Sequence, residues 1–298
     1  MTIEYHDVIR TGPELTHPEN GKWFLASDVH GPVVVFVHGF TAHGRYLARL
    51  AEYVGAHGFS PTLFNYDSYR GIDQAALDLE MLLSDIGDEI RREGLFLVGH
   101  SMGGLVVRYF VQYGTERSKF QVRGIATLGT PHCGTLSKRH LGHFLDWADS
   151  VTMPNPFSRS PACPSAVQLT DASPSGLIGR LNQDAAADER RIPILSISGG
   201  LPFLEFGSGS NGGFAGTLRN LVLQRLIGER PNDGLVPESS ANVSKAIGSG
   251  PHRSHASDYP GYERVNHSYL GRNQQIAGII VRWLHDVTHQ YCDSKANT

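Results

Sequence analysis

Ser101 stands in Gly99-His100-Ser101-Met102-Gly103-Gly104, after the apolar run Leu95–Val98 and before an apolar segment that begins at Leu105. A G-x-S-x-G sequence between a buried strand and a helix makes a tight turn that presents the serine hydroxyl. Such a hydroxyl becomes a nucleophile when a neighbouring base takes its proton. Attack on a carbonyl places negative charge on its oxygen, and backbone N–H donors fixed in advance stabilise that charge. Val37-His38-Gly39-Phe40 closes an earlier apolar run, so the expected donors are the N–H groups of Phe40 and Met102.

The base and the acid that orients it should follow in the chain order serine, acid, histidine. Asp233, in Pro231-Asn232-Asp233-Gly234-Leu235-Val236-Pro237, is the acid candidate. Asn-Asp-Gly is also a strong turn signal, so a purely structural turn is the competing reading. Asp146, Asp149, Asp171 and Asp184 are alternatives in or beside an irregular segment, and Asp67 comes too early. His267, in Val265-Asn266-His267-Ser268-Tyr269, precedes the last helical region and is the base candidate. His252 and His255 compete from a Gly/Pro/Ser-rich loop. His38, His100 and His132 precede the acid, and surface or loop-packing roles are expected for them.

The elements that must position these residues alternate. Thr2–Arg10 and Lys22–Asp28 read as short strands, Pro32–Val37 as a strand buried on both faces, and Thr62–Phe64, Leu95–Val98, Val122–Leu128 and Ile192–Ile197 as further strands. Helical spacing of apolar residues marks Leu47–Val54, Asp73–Arg92, Leu105–Tyr113 and Gln275–His289. Alternation of this kind predicts an α/β fold with a mostly parallel central sheet flanked by helices. The rhythm fails from Gly134 to Arg191, with five prolines and weak helical signals at Leu141–Trp147 and Leu177–Leu181. A long irregular insertion in an α/β domain is usually functional, so residues 134–191 are expected to form a cap or lid within one domain spanning 1–298. Leu141, Phe144, Leu145, Trp147, Val151, Met153 and Phe157 could give that cap an apolar face. A Gly-rich stretch, Gly207–Gly213, leads into a further expected helix at Leu218–Ile227.

Composition narrows the classes. The 298 residues carry 26 basic and 29 acidic side chains, a net charge of −3, which argues against a broad nucleic-acid-binding face. No run approaches the ~18 apolar residues of a membrane span. The opening Met1–Asp7 lacks a basic-then-apolar leader, so a cytoplasmic location is expected, with secretion the alternative for a chain whose leader has been removed. Cys133, Cys163 and Cys292 are few and widely spaced, which signals no disulfide framework and leaves only a Cys133–Cys163 pairing open. His132, Cys133, His140 and His143 are rich in nitrogen and sulfur, but their spacing fits no usual zinc site. No metal and no cofactor are expected. Arg108, Arg117, Lys119 and Arg123 are scattered, as solvated residues would be. Phe203–Phe206 reads as core or as the wall of an acyl pocket.

The segments His38-Gly39-Phe40, Gly99–Gly104, Gly129-Thr130-Pro131-His132-Cys133-Gly134, Asn232–Val236 and Asn266-His267 together resemble the α/β-hydrolase superfamily, most of all bacterial triacylglycerol lipases and GPI inositol-deacylase-like esterases. The resemblance runs in motif order along nearly the whole chain. It implies that Ser101, Asp233 and His267 are a catalytic triad and that a lid begins at Gly134. Secreted lipases of this kind carry a calcium-binding aspartate two residues after the catalytic histidine and another before the catalytic acid. Here Tyr269 holds the first place and Leu201–Arg230 contains no aspartate, so the resemblance does not extend to calcium.

The expected activity is a serine hydrolase cleaving carboxylic esters, with lipid-like or acyl esters favoured, through an acyl-enzyme on Ser101; the expected partner is a small-molecule or lipid ester, with transient contact at a lipid interface. An amidase, thioesterase or acyltransferase using the same residues is the alternative within enzymes, and a non-catalytic binding protein of the same fold the alternative outside them.

Overall fold

The computed structural model describes residues 12–114, 120–134, 163–171, 173–187, 192–201, 231–250, 252–260 and 264–296. Among the described residues, seven strands form one sheet in the order β1-β3-β2-β4-β5-β6-β7. They are β1 (Glu14–Thr16), β2 (Val33–Val37), β3 (Ser60–Asn65), β4 (Leu95–His100), β5 (Val122–Leu128), β6 (Ile194–Ile197) and β7 (Arg253–His255). β1 runs antiparallel to β3, and every other pairing is parallel.

The pleat of β2 and β4 divides the core. Val33, Val35, Val37, Leu95 and Leu97 face one layer, with α2 (Ile72–Ser84) and α4 (Met102–Tyr113) packed on them. Val34, Phe36, Phe96 and Val98 face the other, covered by α1 (Ala48–Gly55) and the long C-terminal helix Gln274–Ala296. All five β2 residues are fully buried, which is why that stretch reads as an unbroken β-branched and aromatic run rather than an alternating one.

Three sequence expectations are corrected. Lys22–Asp28 is not a strand: Trp23 makes one isolated bridge to Thr16, and Ala26–Asp28 is a 3₁₀ turn closed by the Asp28 carboxylate on the Leu25 N–H. The expected helix Asp73–Arg92 is two helices, α2 and α3 (Gly87–Glu93), separated where Ile86 leaves helical geometry to enter the core. Both helices bury the same stripe, so periodicity alone cannot see the break. Arg108 is not solvated but buried, as described below. Of the remaining expected strands and helices, Val122–Leu128 appears with the same ends and the others with shifted ends, apart from those outside the described residues, which are Thr2–Arg10, Leu141–Trp147 and Leu218–Ile227.

Among the described residues of the expected cap, Pro164–Thr170 (α5) and Leu177–Ala187 (α6) are helical. Gln168 accepts the Ile72 N–H and donates to Asp73, tying α5 to the start of α2. The apolar residues expected on the first half of the cap, Leu141 to Phe157, lie outside the described residues, as does Phe203–Phe206. No helix among the described residues is long and apolar enough to cross a membrane.

Candidate active site

Ser101 occupies the junction between β4 and α4 with φ 53° and ψ −125°. A non-glycine residue adopts this region only when its surroundings impose it. The constraint comes from both sides, since the Ser101 N–H donates to Leu128 O on β5 and the Ser101 carbonyl accepts from Gly104 N–H. Met102 opens α4, and Phe40 follows the loop at the end of β2. A β-carbon on Gly39 would lie 2.8 Å from Ser101 Cβ, so only a bare backbone lets that loop approach the serine. Among the described residues, neither the Phe40 N–H nor the Met102 N–H donates to a protein acceptor.

Asp233 and His267 meet at the same end of the sheet, beyond β5 and β6. Asp233 Oδ2 lies 2.7 Å from His267 Nδ1, with both side chains buried. Asp233 Oδ1 accepts from the Leu235 and Val236 N–H groups, and its main-chain carbonyl accepts from His267 N–H. A carboxylate only accepts, so Nδ1 carries the imidazole proton and Nε2 is left as a base. The Asn-Asp-Gly turn is also real: Asn232 accepts the Gly234 N–H. The turn and the pair are therefore one device. Gly129, at the end of β5 with φ 56°, passes so close that a β-carbon there would lie 2.9 Å from Asp233 Oδ2 and 3.0 Å from His267 Nδ1.

The competing residues have other places. His255 lies on the edge strand β7, where its ring bonds Ser198 and Ser257. Asp171 ends α5 and Asp184 bonds Tyr113, while Asp146 and Asp149 lie outside the described residues. Asp67 caps its own turn at Tyr69. Cys133 is exposed and carries a thiol, as does Cys163. Among the described residues no group of three or more metal-ligating side chains converges, and His140 and His143 fall outside them.

Surface roles do not hold for His38, His100 and His132, which are all buried at this end of the sheet. Burial pushes His38 down to about 3 and holds His100 and His132 well below the ordinary histidine range. The charge of His267 further depresses His100, and that of Arg108 depresses His132. Arg108, pushed down to about 10 by burial, donates to His132 Nδ1, Asn182 Oδ1 and Leu181 O. It thereby joins α4, α6 and the turn after β5 through neutral acceptors. Residue-type counting missed it because a lone arginine at helical spacing reads as solvated.

The same architecture appears elsewhere. Residues 34–270 match the sequence pattern of the alpha/beta hydrolase family. The chain belongs to the α/β-hydrolase family. Mature lipase BlEst2 of Bacillus licheniformis shares this α/β-hydrolase fold at 18% identity, over 86% of this chain and 92% of that one, with a TM-score of 0.59. The metagenomic carboxyl esterase MGS0156 is 14% identical over 88% of this chain and 76% of its own, at a TM-score of 0.55. A lipase-esterase related protein of Clostridium acetobutylicum is 12% identical over 86% and 94%, at 0.50. These likenesses are of fold. No curated protein sequence matches the chain.

Proposed function

We propose that this α/β hydrolase cleaves carboxylic esters, small or lipid-like, through an acyl-enzyme on Ser101, and that it does so as one domain with residues 134–191 inserted as a cap. The observation that carries the proposal is the buried Asp233–His267 pair, 2.7 Å long, set beside the β4–α4 turn that strains Ser101. His267 Nε2 takes the Ser101 proton as Oγ attacks the ester carbonyl. The Phe40 and Met102 N–H groups receive the oxyanion, and Asp233 stabilises the imidazolium and fixes its orientation. The proton then passes from His267 to the departing alkoxide. Water, deprotonated by His267, hydrolyses the acyl-enzyme and restores Ser101. No step requires a metal or a cofactor.

The test is stoichiometric labelling by a fluorophosphonate, with the adduct mapped to Ser101 and lost in Ser101→Ala. A folded wild-type protein that stays unlabelled would remove the proposal. A series of p-nitrophenyl esters of rising chain length, with and without a lipid interface, then sorts small esters from lipid-like ones.

A further inference from the structure

We propose that His100 and Tyr46 are positioning residues that clamp the main-chain carbonyl of His267 and thereby hold its imidazole in register with Ser101. The inference rests on the proposed function and concerns how its base is held. His267 is fixed at three points by other groups. Asp233 holds its N–H and its Nδ1, and the third point, its carbonyl oxygen, lies 3.1 Å from His100 Nε2 and 3.3 Å from the Tyr46 hydroxyl. His100 is the residue immediately before Ser101, so this contact links the chain at the nucleophile directly to the chain at the base.

The chemistry of His100 favours a task over packing. A carbonyl only accepts, so Nε2 bears the proton and Nδ1 is a bare acceptor. That Nδ1 is buried with no hydrogen-bond partner. An unpaired buried acceptor is destabilising, and an apolar ring of similar size would avoid it. What the imidazole supplies that such a ring cannot is the Nε2–H on the His267 carbonyl. Burial and the neighbouring His267 also keep His100 uncharged. No second cation therefore stands beside His267, 4.8 Å away ring to ring, when it takes up the Ser101 proton.

Tyr46 completes the clamp. Its hydroxyl lies 3.1 Å from Ser268 O and accepts the Gly271 N–H at 3.0 Å, so one side chain spans the turn that follows His267. The Arg272 guanidinium covers the face of the same ring at 5.1 Å. The one Tyr46 O–H can turn to the His267 or the Ser268 carbonyl, so removing either side chain still leaves a donor within reach of the His267 oxygen, and each single variant should fold.

The experiment measures the rate of fluorophosphonate labelling at Ser101, together with kcat and KM for p-nitrophenyl butyrate. Misplacing a reacting group by about 1 Å costs up to about 100-fold, so His100→Phe should lower labelling and kcat by about 10- to 100-fold with KM nearly unchanged. His100→Gln, whose side-chain amide can donate to the same carbonyl, should recover most of the loss. Tyr46→Phe should lose less, and the double variant, which strips the carbonyl of both donors, should lose more than the product of the two single effects. Wild-type rates in folded His100→Phe, or equal losses in His100→Phe and His100→Gln, would overturn the clamp while leaving the proposed function standing. Should His100→Phe fail to fold, wild-type rates in Tyr46→Phe would overturn it instead. A wild-type protein that does not label at all would overturn the proposed function and the clamp with it.

Discussion

Asp233 Oδ1 is held by two backbone N–H groups, so its other oxygen has one direction in which to point, and His267 Nδ1 is there. An amide at this position offers an N–H where the imidazole needs an acceptor, which would drive the proton from Nδ1 to Nε2 and abolish the base. Asp233→Asn should therefore lower kcat about 10³- to 10⁴-fold. The measurement is kcat beside a thermal melt, and undiminished activity would remove Asp233 from its role. Ser101 carries the complementary expectation. Its backbone conformation costs about 1–3 kcal/mol, whereas a glycine costs about 0.4–1 kcal/mol through the unfolded chain. Strain relief wins, so Ser101→Gly should raise the melting temperature by a few degrees, about 2–4 °C per kcal/mol, while eliminating turnover. A lower melting temperature would show that the turn is not strained.

At the scale of elements, the turn after β5 passes closely against the Asp233–His267 pair. Ala at position 129 would have to hold φ 56°, at about 1–2 kcal/mol, and would press its methyl onto the Asp233–His267 pair. Gly129→Ala should lower the melting temperature by on the order of 5 °C and turnover by more than tenfold. A folded, fully active variant would mean that the pair tolerates displacement. That turn was readable in the sequence only as part of a motif, and the reason is general here. Elements buried on both faces announced themselves: β2 and the Leu95–Val98 run of β4 are continuously apolar, and the strand-turn-helix around Ser101 followed from them. β7 did not, because Arg253–His255 is a three-residue edge strand held by main-chain bonds to β6, with no apolar pattern to read. The break at Ile86 escaped because α2 and α3 present one continuous stripe. The acid and base candidates were legible from order and turn type. The Tyr46–His100 contacts were not, since they join residues 54 and 167 positions apart and depend on where two loops meet.

For the molecule as a whole, the parallel sheet gathers His38, His100, His132 and His267 at one end, beyond β2, β4, β5 and β6, and the first three are neutral and sealed from water. His38 donates Nδ1–H to Gly39 O, and His132 accepts Arg108 at Nδ1 while its Nε2 faces Thr127 Oγ1. A proton arriving at His132 Nδ1 would meet a guanidinium. Each of these rings has a folded-state pKa below its unfolded value, which for histidine is about 6.5. The unfolded chain therefore binds protons as pH falls through that value, while the folded chain does not until far lower, near 3 for His38. Stability is then fully present above the unfolded pKa and falls on acidification, by up to about 1 kcal/mol per pH unit for each ring. Three rings together make about 3 kcal/mol between pH 6 and pH 5, a large share of a typical 5–15 kcal/mol. Urea unfolding midpoints at pH 7, 6 and 5 should fall steeply over the lower interval. His132→Gln, which cannot take up a proton, should be less stable at pH 7 but show a slope shallower by about one third. A slope that His132→Gln leaves unchanged, or a midpoint flat from pH 7 to 5, would show that the buried imidazoles do not set the acid limit of this fold.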